Sequence, residues 1–226
     1  GEEFPGEYSG CDLKGLYEKL GCSNRLYEFN VCLEARLDPS VTFHNEEIGH
    51  RTWKQRYDTP VGSVTAVYRG NDSNPGVMPE KWWIESEEDL KVFAYIEEAT
   101  SFAFNMDTYE RLLTEWGHLG LPAMFLPRVS LQKLFIELSG VTDAIYLLSD
   151  YPDTVEAYFR ALSRSQEGML RAVADCPIEW INYGDNLHSK ILPPSLYEKY
   201  VLPEYQKRGD ILHKSGKFLF SHWDGD

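Results

Sequence analysis

The stretch FLFSHWDGD, residues 218–226, carries the features on which our fold prediction depends. Its first residues are apolar and prone to β-structure, apart from one small serine, as expected of a buried strand. An imidazole, two carboxylates and a glycine follow directly. In a parallel α/β barrel, reactive side chains gather at the carboxyl ends of the strands. Because a central strand also needs neighbours and a covering helix, the stretch predicts that the chain forms the first part of a larger barrel.

Apolar runs and helical patterns alternate upstream of this strand. Short buried strands are predicted at 121–126 and 178–183, and long helices at 152–174 and 194–213. An alternation of strand and helix is typical of parallel βα units. We therefore predict an α/β protein of the (β/α)8 TIM barrel type, with its first βα units in residues 101–226. The remainder of the barrel would be missing or carried by a complementing chain.

The first hundred residues follow a different pattern. Leucines at helical spacing before Gly21 predict a helix and its stop. Residues 52–57 and 62–68 predict a β-hairpin, and residues 71–79, rich in Asn, Ser, Gly and Pro, predict a loop. We therefore assign residues 1–100 to a helical lead-in with a β-hairpin segment.

The amino-acid composition limits the class of protein and the kinds of partner that we expect. The 226 residues are 42% hydrophobic and 14% aromatic, which predicts a sizeable core. The net charge of −14 repels nucleic acids and anionic membranes, so we expect neither as a partner. The acidic, polar start GEEFPGEYSG leads us to expect no signal peptide, and the sequence contains no apolar run as long as a membrane span and no CxxC pair. We therefore expect a cytoplasmic protein with reduced cysteines.

Polar residues behind the first two predicted core strands indicate a substrate site. Arg128 follows the first strand and can hold a carboxylate through two parallel hydrogen bonds. An ion pair with a neighbouring acid would explain this arginine equally well. Asp185, Asn186 and His188 follow the second strand, where a glycine lets the backbone approach a ligand.

The third strand is followed by His222, Asp224 and Asp226. Because His222 and Asp224 are two residues apart on an extended chain, their side chains can point to the same side and bind one metal ion. Alternatively, Asp224 orients His222 as an acid or base. A turn with helix caps would explain either polar cluster alone, but two clusters behind consecutive strands favour a shared pocket.

Seven short motifs form a set along the chain: DTPVGS (58–63), PRVSLQKL (127–134), GDN (184–186), LPPSLY (192–197), YVLPEY (200–205), HKSGK (213–217) and SHWDGD (221–226). As a set, over about residues 50–226, they resemble the uroporphyrinogen decarboxylase superfamily, which also contains corrinoid-dependent methyltransferases. The resemblance implies a (β/α)8 barrel with its site at the carboxyl ends of the strands.

The two branches of that superfamily differ in their chemistry. Its decarboxylases hold pyrrole nitrogens with an early arginine-rich loop and an aspartate in a Ser-Asp-Ile-Leu-like motif, and this chain has neither. Its methyltransferases bind zinc through a His-x-Cys pair and a later cysteine. His222 matches the first ligand, and Asp224 stands at the position of the first cysteine. The resemblance thus implies zinc here and a corrinoid on a partner protein.

The resemblance, together with these residues, gives three hypotheses for function. The first is a methyltransferase that moves a methyl group between a small substrate and a corrinoid or thiol acceptor. In it, His222 and Asp224 are the catalytic residues and metal ligands, and the substrate is bound by Arg128, Asp185, Asn186, His188 and Asp226. The second is a metal-free decarboxylase or lyase, in which Arg128 grips the substrate carboxylate and His222 transfers a proton. The third is a non-catalytic half-barrel subunit that pairs with a partner chain.

Overall fold

A computed structural model of the chain describes residues 6–72 and 74–222. Its α-helices, in chain order, are α1 (Leu13–Leu20), α2 (Glu87–Glu98), α3 (Met106–Trp116), α4 (Ser130–Lys133), α5 (Val141–Asp150), α6 (Pro152–Asp175), α7 (Pro194–Leu196) and α8 (Leu202–Lys214). Two π-helical segments, Leu134–Leu138 and Tyr197–Val201, directly follow α4 and α7. Short 3-10 helices lie at Tyr27–Cys32 and Gly117–Leu119.

The described strands belong to three sheets. They are β1 (Asn24–Leu26), β2 (Leu33–Leu37), β3 (Thr42–Gly49), β4 (Thr52–Thr59), β5 (Gly62–Asn71), β6 (Asn74–Lys81), β7 (Thr100–Phe104), β8 (Gly120–Phe125), β9 (Trp180–Asn182) and β10 (Phe218–Phe220). The first sheet is parallel, in the order β1-β8-β9-β10. β2 pairs antiparallel with β7, and β3 to β6 form an antiparallel meander.

The prediction of a (β/α)8 barrel is wrong. The parallel sheet has four strands among the described residues and β2 to β7 are antiparallel, so this is a mixed α/β fold rather than a barrel. The physical reason lies in pairing between segments that are distant in sequence. β8, predicted as the first barrel strand, pairs with β1 from the N-terminal part of the chain, and β7 pairs antiparallel with β2.

The loop predicted at 71–79 is also wrong, whereas the hairpin before it is confirmed as β4 and β5. β6 covers most of that loop, pairing Met78 with Arg69 and Val77 with Gly70. Pro79 is compatible with β6 because β6 is an edge strand, and edge strands are where proline is found in sheets. The hydrogen bonds between β5 and β6 therefore stabilise a strand in a segment whose composition favours a loop.

Two hydrophobic clusters hold these layers together. The larger lies among the meander, α2, α4 and α6, and includes the fully buried Leu134 and Tyr158. The other surrounds the parallel sheet, with Met124 and Ile181 at its centre. Tyr183 packs against both clusters. The segment after β9 therefore lies where the two halves of the core meet.

Two further observations concern the chain as a whole. No helix within the two described ranges is both long and apolar enough to cross a membrane. The four cysteines are not paired with one another in the structure: Cys11, Cys22, Cys32 and Cys176.

Candidate functional site

The carboxyl ends of β8, β9 and β10 lie at one edge of the parallel sheet. The register aligns Phe125 with Asn182 and Asn182 with Phe220, so the three strands end side by side. Beyond them, a side chain at Gly184 would overlap the His222 carbonyl oxygen. The segments that follow β9 and β10 are therefore in close contact at this edge.

The Arg128 guanidinium is surrounded by oxygen atoms. Its Nη1 lies 3.3 Å from the Gly184 carbonyl oxygen, 3.5 Å from Asp185 Oδ1 and 3.4 Å from Asn186 Oδ1. Its Nε lies 3.4 Å from Glu137 Oε1, and 23% of the side chain is exposed. A tight charge-assisted hydrogen bond is about 2.7–2.9 Å long, so none of these contacts is tight. Arg128 is therefore oriented by several weak contacts while part of its side chain stays exposed.

Asp185 lies beneath this arginine, with its side chain fully buried. The Tyr205 hydroxyl donates a hydrogen bond to Asp185 Oδ2. Burial raises the pKa of Asp185 to about 6, against the opposing effects of that hydrogen bond and of the Arg208 and Arg128 charges. Asp185 has no exposed surface through which to meet a substrate, contrary to the prediction that it binds one, and it contacts Arg128 instead.

Glu137 is the carboxyl group that a substrate can reach. Its side chain is 43% exposed where it faces a cavity, while protein crowds it on the other sides. This partial burial raises the pKa of Glu137, although Lys133 and Arg128 act in the opposite direction. Glu137 lies in the π-helical segment Leu134–Leu138, and such segments occur frequently at functional sites. A reachable carboxyl group with a raised pKa suits acid–base chemistry.

The cavity beside Glu137 has a volume of about 540 Å³. It lies between the meander and the helices, and Pro127 from the end of β8 lines it together with Glu97 and Lys133. Lys133 Nζ is 2.6 Å from Glu97 Oε1, so these two charges are paired. A hollow of about 600 Å³ around Asp38 and Tyr95 is slightly larger, but no cation or histidine lines it. Because Lys133 and Glu137 line the cavity at Glu137, this cavity is the better candidate for a functional site.

Arg208 fixes the backbone that carries Arg128. Its guanidinium is almost fully buried and donates to the Pro127 carbonyl oxygen at 2.7 Å and the Arg128 carbonyl oxygen at 3.1 Å. It also donates to Gln166 Oε1 at 2.9 Å, and Gln166 Nε2 donates to the Arg128 carbonyl oxygen at 3.1 Å. Burial lowers the pKa of Arg208, opposed mainly by the nearby Glu204 and Asp185. α8 and α6 thus hold the end of β8 in place.

The structure brings together only some of the residues predicted from sequence. Arg128, Asp185 and Asn186 are in mutual contact. His188 accepts a hydrogen bond from the Lys190 backbone N–H, so its ring belongs to a turn. His222 has its backbone against Gly184 and its side chain exposed. The remaining two residues of the prediction, Asp224 and Asp226, lie outside the described residues.

Sequence reasoning missed Glu137, Tyr205 and Arg208. Tyr205 and Arg208 are three residues apart and therefore lie on one face of α8. This spacing could have identified the two residues as neighbours from the sequence. No local signal separates a buried arginine in a helix from an exposed one. Burial depends on the segments that pack over the helix, and these are distant in sequence.

The zinc site implied by the resemblance is not formed by the described part of the chain. Within it, no three His, Cys, Asp or Glu side chains are grouped so as to hold a metal ion. Asp224, the partner expected for His222, is outside that part. We derive no catalytic step through a metal.

Comparisons of the chain with protein-family models, with curated proteins and with solved structures found no match. The resemblance to the uroporphyrinogen decarboxylase superfamily stays a prediction.

Proposed function

We propose that the chain is an enzyme that binds a small carboxylated substrate through Arg128 and transfers a proton through Glu137. One observation carries the proposal: Arg128 Nε lies 3.4 Å from a Glu137 carboxyl group that faces a cavity and has a raised pKa. This pairing of a carboxylate-binding group with a reachable acid supports the metal-free decarboxylase or lyase hypothesis, with Glu137 in the role first given to His222.

Each residue of the site has a separate function in the proposed reaction. The guanidinium of Arg128 forms two parallel hydrogen bonds with one substrate carboxylate and so orients the molecule. When a neighbouring carboxylate leaves as CO2, the substrate carbon that carried it keeps the electron pair of the broken C–C bond. Protonated Glu137 supplies a proton to that carbon, and solvent then returns a proton to Glu137. Asp185 and Asn186 keep Arg128 in place throughout.

Calorimetric titration with succinate and assays of CO2 release from a panel of di- and tricarboxylates test this proposal. Arg128→Lys should weaken succinate binding about tenfold or more, because an ammonium group cannot form the two parallel bonds. Glu137→Gln should retain binding but lower turnover by about 10²-fold or more. Arg164→Lys and Glu80→Gln, both at exposed ion pairs, serve as matched controls. Succinate binding that is unchanged in Arg128→Lys would contradict the proposal.

Methyl transfer is the second candidate, supported by the position of His222 against Gly184 at the same edge of the sheet. In it, a small substrate gives its methyl group to a corrinoid or thiol acceptor. Formation of methylcobalamin from added cob(I)alamin and a methylated substrate, lost in His222→Ala, would support this candidate. A corrinoid-carrying protein, a metal at His222 and Asp224, and a complementing chain stay predictions.

A further inference from the structure

The inner face of the meander continues away from the Glu137 cavity. Side chains two residues apart on a strand point to the same face, so Trp53, Gln55 and Tyr57 of β4 share one face. The register pairs Tyr57 with the buried Val64 and Trp53 with Tyr68, which extends this face onto β5. The face is packed against the core near Tyr57 and becomes open toward Trp53.

Two hollows lie along this face and share one residue. The first is the cavity of about 540 Å³ at Glu137, and the second has about 330 Å³ and is lined by Asn45, Trp53, Tyr68 and Val77. Gln55 lines both hollows. They are therefore adjoining stretches of one groove, which we call the sheet groove, with Gln55 at the junction.

The walls of the sheet groove are rich in aromatic rings. The Tyr57 ring lies 4.8 Å from that of Phe43, 5.1 Å from Trp83 and 6.3 Å from Phe93, measured between ring centroids. These contacts fix the rings as a rigid wall. Aromatic walls with a few polar groups are typical of small-molecule sites, and a flat ring packs well against such a wall.

The charged side chains that line the groove, Glu97, Lys133 and Glu137, lie at one end. Lys133 is paired with Glu97, and Arg128, which is not a lining residue, adjoins this end through Glu137, with its Nε 3.4 Å from Glu137 Oε1. A ligand that matches this arrangement carries a carboxylate at one end and flat apolar rings at the other. The amide of Gln55, opposite Asn45 on β3, is the polar group at the junction of the two hollows.

We propose that the sheet groove binds the rings of an aryl carboxylic acid whose carboxylate pairs with Arg128. The meander then determines which substrates enter, and Gln55 is a specificity-determining residue. This inference rests on the proposed function, because it takes Arg128 as the carboxylate-binding group.

Calorimetric titration with benzoate and with the longer biphenyl-4-carboxylate tests the inference. The unmodified chain should bind biphenyl-4-carboxylate about tenfold or more tightly than benzoate, because the second ring extends along the wall. Gln55→Trp should fill the junction and remove that preference, because it weakens binding of biphenyl-4-carboxylate far more than binding of benzoate. Lys54→Trp, on the opposite face of the same strand, is the matched control and should keep the preference.

Failure of this inference and failure of the proposed function give different experimental results. Equal affinity for the two acids, or a preference that survives in Gln55→Trp, would overturn the inference. If Arg128→Lys leaves both affinities unchanged while Gln55→Trp removes the preference, the groove is retained and the proposed function fails. Trp53→Ala, which shortens the wall beyond the junction, should weaken only the longer acid and replaces Gln55→Trp if that variant does not fold.

Discussion

At the scale of single residues, Gly184 is required because it has no side chain. A Cβ at this position would overlap the carbonyl oxygen of His222 and meet Phe125 at 3.3 Å. We expect Gly184→Ala to lower the free energy of unfolding by about 1–3 kcal/mol, since a backbone segment must move. Gly168→Ala in α6 is the control: its Cβ would meet nothing within 4 Å, and it should stabilise the helix by about 0.5–1 kcal/mol. Urea unfolding of the two variants measures the difference, and equal effects would contradict the argument.

Asp185 makes stability depend on pH in an unusual direction. Its pKa is raised from the ordinary 3.8 to about 6 in the folded chain, so the folded state holds this proton where the unfolded state has released it. Stability therefore falls as pH rises from about 4 to about 6, by about 3 kcal/mol for this group.

Asp185→Asn should remove that slope. Glu137, with its raised pKa, contributes in the same direction, and Glu167, whose pKa is lowered mainly by Lys207, contributes in the opposite direction. The informative quantity is therefore the unfolding free energy of the unmodified chain minus that of Asp185→Asn, measured by urea titration across this range. A difference that stays constant with pH would show that Asp185 is not protonated in the folded state.

At the scale of elements, Arg208 connects α8 to the end of β8 and to α6. Arg208→Met leaves the Pro127 and Arg128 carbonyl oxygens and Gln166 Oε1 without this donor. We expect a loss of roughly 3–5 kcal/mol of unfolding free energy, the usual result of removing one member of a buried charged network. Lys207→Met, which removes a partly exposed pair with Glu167 and a hydrogen bond to Ser163 Oγ, should cost about 0–1 kcal/mol. Similar melting behaviour of the two variants would contradict this account.

The helices and strands also show which secondary structure can be predicted from neighbouring residues alone. The helix predicted at 152–174 is confirmed as α6, because a proline in the first turn and a helical apolar pattern act within the segment itself. The loop predicted at 71–79 is wrong, because β5 supplies hydrogen-bond partners that the segment does not contain. Helix formation is set mainly by neighbours in sequence, whereas strand formation is completed by another strand.

At the scale of the whole molecule, an open sheet edge favours self-association, whereas the net negative charge opposes it. β10 has a strand neighbour on one side among the described residues, and Phe218 on it is 56% exposed, stacked on Trp180 at 5.3 Å. Such an edge favours pairing between copies, while the net charge of −14 keeps them apart. Salt shortens the Debye length from about 30 Å at 0.01 M to about 8 Å at 0.15 M.

We therefore expect light scattering at neutral pH to show more self-association as salt is raised. Phe218→Lys should suppress this increase, because it places a charge on the apolar edge. Val31→Lys, which replaces another exposed apolar residue away from β10, should not suppress it. Self-association that is independent of salt, or equally reduced by both variants, would contradict the role of this edge.

The sequence by itself determined α6, the hairpin of β4 and β5, the apolar strands β8 to β10 and the polar residues that follow them, including Arg128, Asp185 and Asn186, because these depend on neighbours along the chain. It led to the wrong barrel, because strand pairing depends on partners far away in sequence. Only the tertiary structure decided that Arg208 is buried beneath Arg128 and that Glu137 faces a cavity beside it. Burial and electrostatic environment are properties of the packed chain, and they determine which charged residues can take part in chemistry.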